Sequence, residues 1–124
     1  MVYAFEPQNL IFQNCCANIA INSLTNCIFE KIALSDSIKN KLYSVSLDFT
    51  APHNFGAYSL EDSKSNFNNL VSIETLDNKF YDLQNLKLLK MDIEGMELHA
   101  LKGGKNIIER TQPFLYLEND RKVE

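Results

Sequence analysis

Apolar residues run along this chain in short stretches of two kinds, some nearly continuous and some at helical spacing, with turn-forming residues between them. Val2–Phe5 is β-prone and apolar, as a buried parallel strand requires, and Pro7 ends it while holding Glu6 extended. Over residues 8–22, Ile11, Cys15 and Ile19 fall on one stripe with Phe12, Cys16 and Ala20 beside it, which predicts a helix with one face on a sheet. Residues 27–34 read as a second strand, so strand, helix and strand succeed one another as in a parallel βαβ unit. Alternation over 42–49 predicts a strand open to antiparallel pairing, 51–69 is polar, aromatic and irregular, and 71–76 is another short strand. A turn or short helix over 77–86 leads into a mostly apolar strand at 86–91, then a helix from Glu94 to Leu101. Gly103 and Gly104 interrupt that helix, residues 105–110 form a second helical piece, and Pro113 starts the last strand, Phe114–Leu117.

This pattern is α/β, mostly parallel strands with flanking helices, and it gives the acidic residues a common address. Glu6, Asp36, Asp92 and Glu118 each follow an apolar strand. With right-handed crossovers all four are expected to line one crevice at the carboxyl edge, where open α/β sheets bind ligands. Asp92, Glu94 and Glu97 lie too close together for all three to enter a core. A ligand site explains them, and so does a solvated loop whose acidic first turn complements the helix dipole. Asp36 serves equally as a turn former. Glu6 matches the ribose-binding acid that ends the second strand of a dinucleotide site, about 20 residues after a glycine-rich turn, but this chain has no such turn before it.

Composition narrows the classes of function. A chain of 124 residues that is 45% hydrophobic builds one core, so residues 1–124 are read as a single domain. A net charge of -4 without any Lys/Arg cluster excludes a protein that tracks nucleic-acid phosphates. No apolar run reaches the length of a membrane span and the amino terminus is not patterned as a secretory signal, so a cytoplasmic location is expected. Three cysteines, two of them adjacent at Cys15 and Cys16, make neither a disulfide framework nor a zinc spacing and read as small buried apolar groups. His53 and His99 stand far apart without neighbouring ligands, which predicts no metal site and a surface or half-buried place for each.

Four segments together carry a resemblance. Val-Tyr-Ala-Phe-Glu-Pro at residues 2 to 7, Ile32-Ala33-Leu34-Ser35-Asp36, Lys90-Met91-Asp92-Ile93-Glu94-Gly95-Met96-Glu97 and Leu101-Lys102-Gly103-Gly104 resemble, in order and spacing, the FkbM-type S-adenosylmethionine-dependent methyltransferases. Residues 113–118 resemble the strand that follows in that family, and the Asp-Ile-Glu-Gly-Met-Glu block is the most specific part. The resemblance implies a Rossmann-like class I methyltransferase sheet, S-adenosyl-L-methionine as cofactor, and methyl transfer to a hydroxyl of a sugar, polyketide or lipid-linked acceptor. Carried over, Glu6 would hold the ribose hydroxyls, Asp36 would lie near the adenine amine, and Asp92 would face the methionine end as the first choice of catalytic base, with His53 second. Glu94, Glu97 and Glu118 would face the substrate.

The same resemblance implies elements that this sequence lacks, namely a first strand with its glycine-rich loop and further closing strands. The chain is therefore expected to be an incomplete domain whose remaining parts lie in the same or a neighbouring polypeptide. The strands carrying Glu6 and Asp92 are then expected to pair directly or to leave backbone groups unsatisfied, at about 1 kcal/mol or more each. Two functions follow as expectations: a methyltransferase, or a catalytically inactive fragment that acts as a binding or pairing module through an exposed strand edge.

Overall fold

The computed structural model describes residues 1–44 and 70–118. Its elements are, in chain order, β1 (Val2–Phe5), α1 (Asn9–Ile21), β2 (Cys27–Glu30), β3 (Ile32–Leu34), β4 (Lys39–Ser44), β5 (Leu70–Glu74), α2 (Leu76–Lys79), β6 (Leu88–Met91), α3 (Glu97–Gly103), α4 (Lys105–Thr111) and β7 (Phe114–Leu117). The chain is thus α/β, with small parallel strand pairs and flanking helices. The described residues fall into two compact units, one drawn from Met1–Ala33 and Lys39–Ile73, the other from Leu34–Ile38 and Glu74–Glu124.

In the first unit the expected βαβ arrangement is present: β1 and β2 pair in parallel, with Val2 opposite Cys27 and Phe5 opposite Glu30. Helix α1 joins them and packs on β2, where Phe12 stacks on Phe29 with ring centroids 5.3 Å apart. The predicted stripe is the inward one, since Ile11, Phe12, Cys15, Cys16 and Ile19 are half-buried while Gln13, Asn14, Ala17 and Asn18 are exposed. Ala20, placed beside the stripe from sequence, is exposed. The helix closes on a Schellman arrangement: Ser23 takes a φ of 52°, its N–H donates to the Ala20 carbonyl, and the Leu24 N–H reaches back to Ile19.

The strand expected over residues 27–34 is two strands. The break falls at Lys31; β2 belongs with β1, while β3 lies in a second sheet of order β3-β5-β4. Apolar continuity carried through the break, but hydrogen bonding changed partner. In this second sheet β4 runs antiparallel to β5, the pairing anticipated for the 42–49 segment. The strand starts earlier, at Lys39, and residues 45–49 lie outside the described residues, as does the irregular stretch 51–69 with His53. Ala33, Val71 and Ile73 form the buried cluster of this sheet.

In the second unit β6 and β7 pair in parallel, with Met91 opposite Leu117, and α2 packs against both α3 and α4. Its buried apolar residues are Leu76, Phe80, Met91, Ala100 and Ile107. Each of the larger side chains contributes about 1.5–3 kcal/mol by leaving water. The predicted 71–76 strand ends at Glu74, because Thr75 caps α2 by accepting the Asn78 N–H on Oγ1, so Leu76 is helical. The two short helices are clasped at both ends. Asp77 of α2 accepts the Asn106 and Ile107 N–H groups at the start of α4, at 3.1 and 2.8 Å. Arg110 of α4 donates in return to the Phe80 and Leu83 carbonyls just past α2.

The Gly103-Gly104 pair is explained by close approach. A Cβ on Gly103 would stand 2.0 Å from the Ser35 carbonyl oxygen, and one on Gly104 would stand 2.8 Å from Leu76 Cδ1. Gly104 is the N-cap residue of α4 and has no side chain to cap with. Asp77, next to Leu76 in sequence, supplies that cap from the neighbouring helix.

Candidate functional site

Glu6 leaves the end of β1 with its N–H donating to the Glu30 carbonyl at 3.2 Å, which continues the parallel ladder by one residue. Its Oε1 accepts the Gln8 N–H at 2.7 Å, a short bond across Pro7 that fixes the carboxylate where the chain turns into α1. The side chain is half-buried. Burial pushes the Glu6 carboxyl up, against the lowering effect of the Gln8 N–H. The nearby Cys15 thiol is pushed up in turn, first by burial and then by the charges of Glu6 and Cys16.

The remaining acids belong to the second unit. Asp36 follows the buried Ser35 in the turn after β3. Its Oδ2 lies 2.9 Å from His99 Nδ1, and its Oδ1 accepts the Ser35 and Ser37 hydroxyls at 3.3 Å each. The His99 hydrogen bond is the main cause that holds the Asp36 carboxyl below the usual carboxylate range, helped by the imidazole charge and the two serines and opposed by desolvation. An ionised carboxylate only accepts, so Nδ1 carries the proton and donates.

Asp92 and Glu118 are brought together by strand register. Met91 faces Leu117, and the Glu118 N–H donates to the Met91 carbonyl at 3.0 Å, so the residues that follow each strand stand side by side at its carboxyl end. A hydrogen bond from Glu118 is the largest cause lowering the Asp92 carboxyl; Lys90 adds to it, with Nζ 3.4 Å from Oδ2, while desolvation opposes both.

The helix expected from Glu94 starts three residues later. Glu94 and Gly95 both have positive φ, 51° and 87°, and the Met96 N–H closes on the Ile93 carbonyl at 3.2 Å. Two left-handed residues inside that ring define a type I′ turn, for which glycine is the favoured second residue. Glu97, the first residue of α3, reaches back so that its Oε1 accepts the N–H groups of Ile93 and Gly95, at 3.0 and 3.2 Å. Its carboxylate braces the turn that presents Glu94.

A model of the methyltransferase FkbM domain matches residues 1–122. The chain belongs to the FkbM methyltransferase family. No match to it is found among the curated proteins or among the solved structures. The FkbM match spans both described units and every acid placed above, Glu6, Asp36, Asp92, Glu94, Glu97 and Glu118. No helix among the described residues of this methyltransferase chain is long and apolar enough to cross a membrane.

His99 is the residue of the site that sequence reasoning passed over as a surface or half-buried side chain. Its imidazole is indeed exposed, yet it is tied to an acid 63 residues away. The available signal was helical spacing. His99 and Gly103 are four residues apart, hence on one face of α3, and Gly103 is the residue pressed against Ser35.

Proposed function

We propose that this chain acts in the cytoplasm as a single class I, Rossmann-like methyltransferase domain. In this reading it transfers a methyl group from S-adenosyl-L-methionine to a hydroxyl of a sugar, polyketide or lipid-linked acceptor. The observation that carries the reading is the position of Glu6, Asp92 and Glu118 immediately after strands of parallel pairs, the edge at which α/β sheets receive ligands. The chemistry of the acids fits the cofactor. Glu6 is already oriented through Oε1, and a carboxylate has enough acceptor sites to take ribose hydroxyls as well. When bound, the cofactor supplies an electrophilic methyl group on a positively charged sulfur.

Glu6 then holds the ribose and Asp36 accepts from the adenine amine. Asp92, whose carboxyl Glu118 and Lys90 hold below the usual carboxylate range, accepts the hydrogen bond of the substrate hydroxyl and takes its proton as the new bond to oxygen forms. Its lowered basicity suits it to orienting the hydroxyl before the transfer rather than to deprotonating it beforehand. Glu94 and Glu118 accept from further hydroxyls of the acceptor, and Glu97 acts by holding the turn beneath Glu94.

Calorimetric titration of S-adenosylhomocysteine into the protein tests the reading, with Glu6→Ala and Glu6→Gln as paired variants. Micromolar binding that both variants lose supports it. No heat at millimolar ligand refutes it and leaves the binding or pairing module, which the solvent-exposed residues of β7 favour.

A further inference from the structure

We propose that His99 is a positioning residue for the adenine end of the site, holding the Asp36 carboxylate so that one acceptor position on Oδ2 stays open for the exocyclic amine. This inference rests on the cofactor reading above and names a residue that the reading does not require.

The argument is one of acceptor bookkeeping and of leverage. An ionised carboxylate offers about four lone-pair positions. The Ser35 and Ser37 hydroxyls occupy the two on Oδ1, and His99 occupies one on Oδ2. One position remains, on the oxygen beside the imidazole, which suits a single N–H donor. The serine bonds are long at 3.3 Å, whereas the His99 bond is 2.9 Å, so His99 sets the rotation of the carboxylate. Asp36 is exposed and accessible to a ligand.

His99 can act in this way because its own place is fixed. Gly103, one helical turn on, lies so close to the Ser35 carbonyl that no side chain fits between them. Ser35 is held from its other side, donating its N–H to the Glu74 carbonyl at 2.9 Å. Helix α3 is therefore seated on the Ser35-Asp36 turn, and His99 meets Asp36 from a fixed direction.

The test compares S-adenosylhomocysteine with its deaminated analogue S-inosylhomocysteine, whose purine carries a 6-oxo group in place of the amine. Both are titrated into wild type, His99→Leu and His99→Asn. Wild type should prefer the amine-bearing ligand. His99→Leu, which removes the donor from an exposed helical position, should lower that preference about tenfold, the equivalent of one oriented hydrogen bond, with little change in binding of the inosyl analogue. His99→Asn, whose amide donor takes the place of Nδ1–H, should restore it. Equal weakening of both ligands in His99→Leu, or an unchanged preference, overturns the positioning role while leaving the cofactor reading intact. Failure of wild type to bind either ligand overturns the cofactor reading, and this inference with it.

Discussion

Replacing Gly103 with alanine adds one methyl group, and the structure says where it would go. An ideal Cβ there lies 2.0 Å from the Ser35 oxygen, 2.9 Å from the Ser35 carbonyl carbon and 3.2 Å from the Asp36 Cα, all backbone atoms. Carbon–oxygen contacts settle at about 3.3 Å or more, so the helix and the turn must part by about 1.3 Å. The turn resists, because the Ser35 N–H is bonded to the Glu74 carbonyl and Ser35 is buried. Forcing an extra methyl group into packed structure costs about 1–3 kcal/mol. Alanine's better helix propensity returns at most about 1 kcal/mol, less at the last residue of α3. The expected net loss is about 1–2 kcal/mol, read as a lower urea midpoint with an unchanged slope. Gly104→Ala is the internal comparison. Its added methyl meets the Leu76 side chain, which can shift, so it should cost less. A Gly103→Ala protein as stable as wild type, or one that loses less than Gly104→Ala, would refute the reasoning.

Two further outcomes are expected. Asp77→Ala strips two N–H groups at the start of α4 of their acceptor and should lose about 1–2 kcal/mol in the same urea assay; a loss below about 0.5 kcal/mol, the ordinary surface background, would show that water replaces the cap. Glu6 provides a test of sign. A carboxyl pushed up by burial contributes stability that is present below its unfolded value and lost as pH rises through its folded value. Glu6→Gln should therefore match or exceed wild type at neutral pH, with its relative advantage shrinking as pH falls to about 4; a wild-type advantage at neutral pH that disappears in acid would mean the carboxylate is stabilised rather than strained.

The elements most legible from sequence were those whose causes are local. β1 and β7 have the expected bounds and α1 the expected inward stripe, because Pro7, Pro113 and the 3.6-residue spacing act within a few residues of where they stand. The split at Lys31 was hidden, since an apolar run does not record which strand each half will pair with. The start of α3 was misplaced because Glu94 and Glu97 look alike as acids of a first helical turn. The φ of Gly95 and the reach of Glu97 to the Ile93 N–H separate them, and neither is visible in a one-dimensional pattern. The glycine pair read as a helix interruption, and α3 does end at Gly103 with α4 starting at Lys105; the reason was not legible, since neither glycine has positive φ and the space beside each is the constraint. Of the candidate site, the strand-end acids were legible as types and positions. The Asp36–His99 bond was not, because it joins residues 63 apart in sequence.

The clasp between α2 and α4 gives the intervening chain a particular topology. Asp77 is joined to Asn106 and Arg110 to Phe80, pairs separated by 29 and 30 residues, so everything between them is a loop whose two feet are tied together. That loop contains β6, Asp92, the Glu94-Gly95 turn and α3. The entropy of closing a loop grows only logarithmically, by about 0.6 kcal/mol for each doubling of length. Once the feet are tied, residues 84–86, past the Leu83 carbonyl that Arg110 also holds, can lengthen or shorten by a few positions at a cost of a few tenths of a kcal/mol. The spacer that leads into the acid-bearing strand can thus be retuned in evolution without loosening the ground on which it stands.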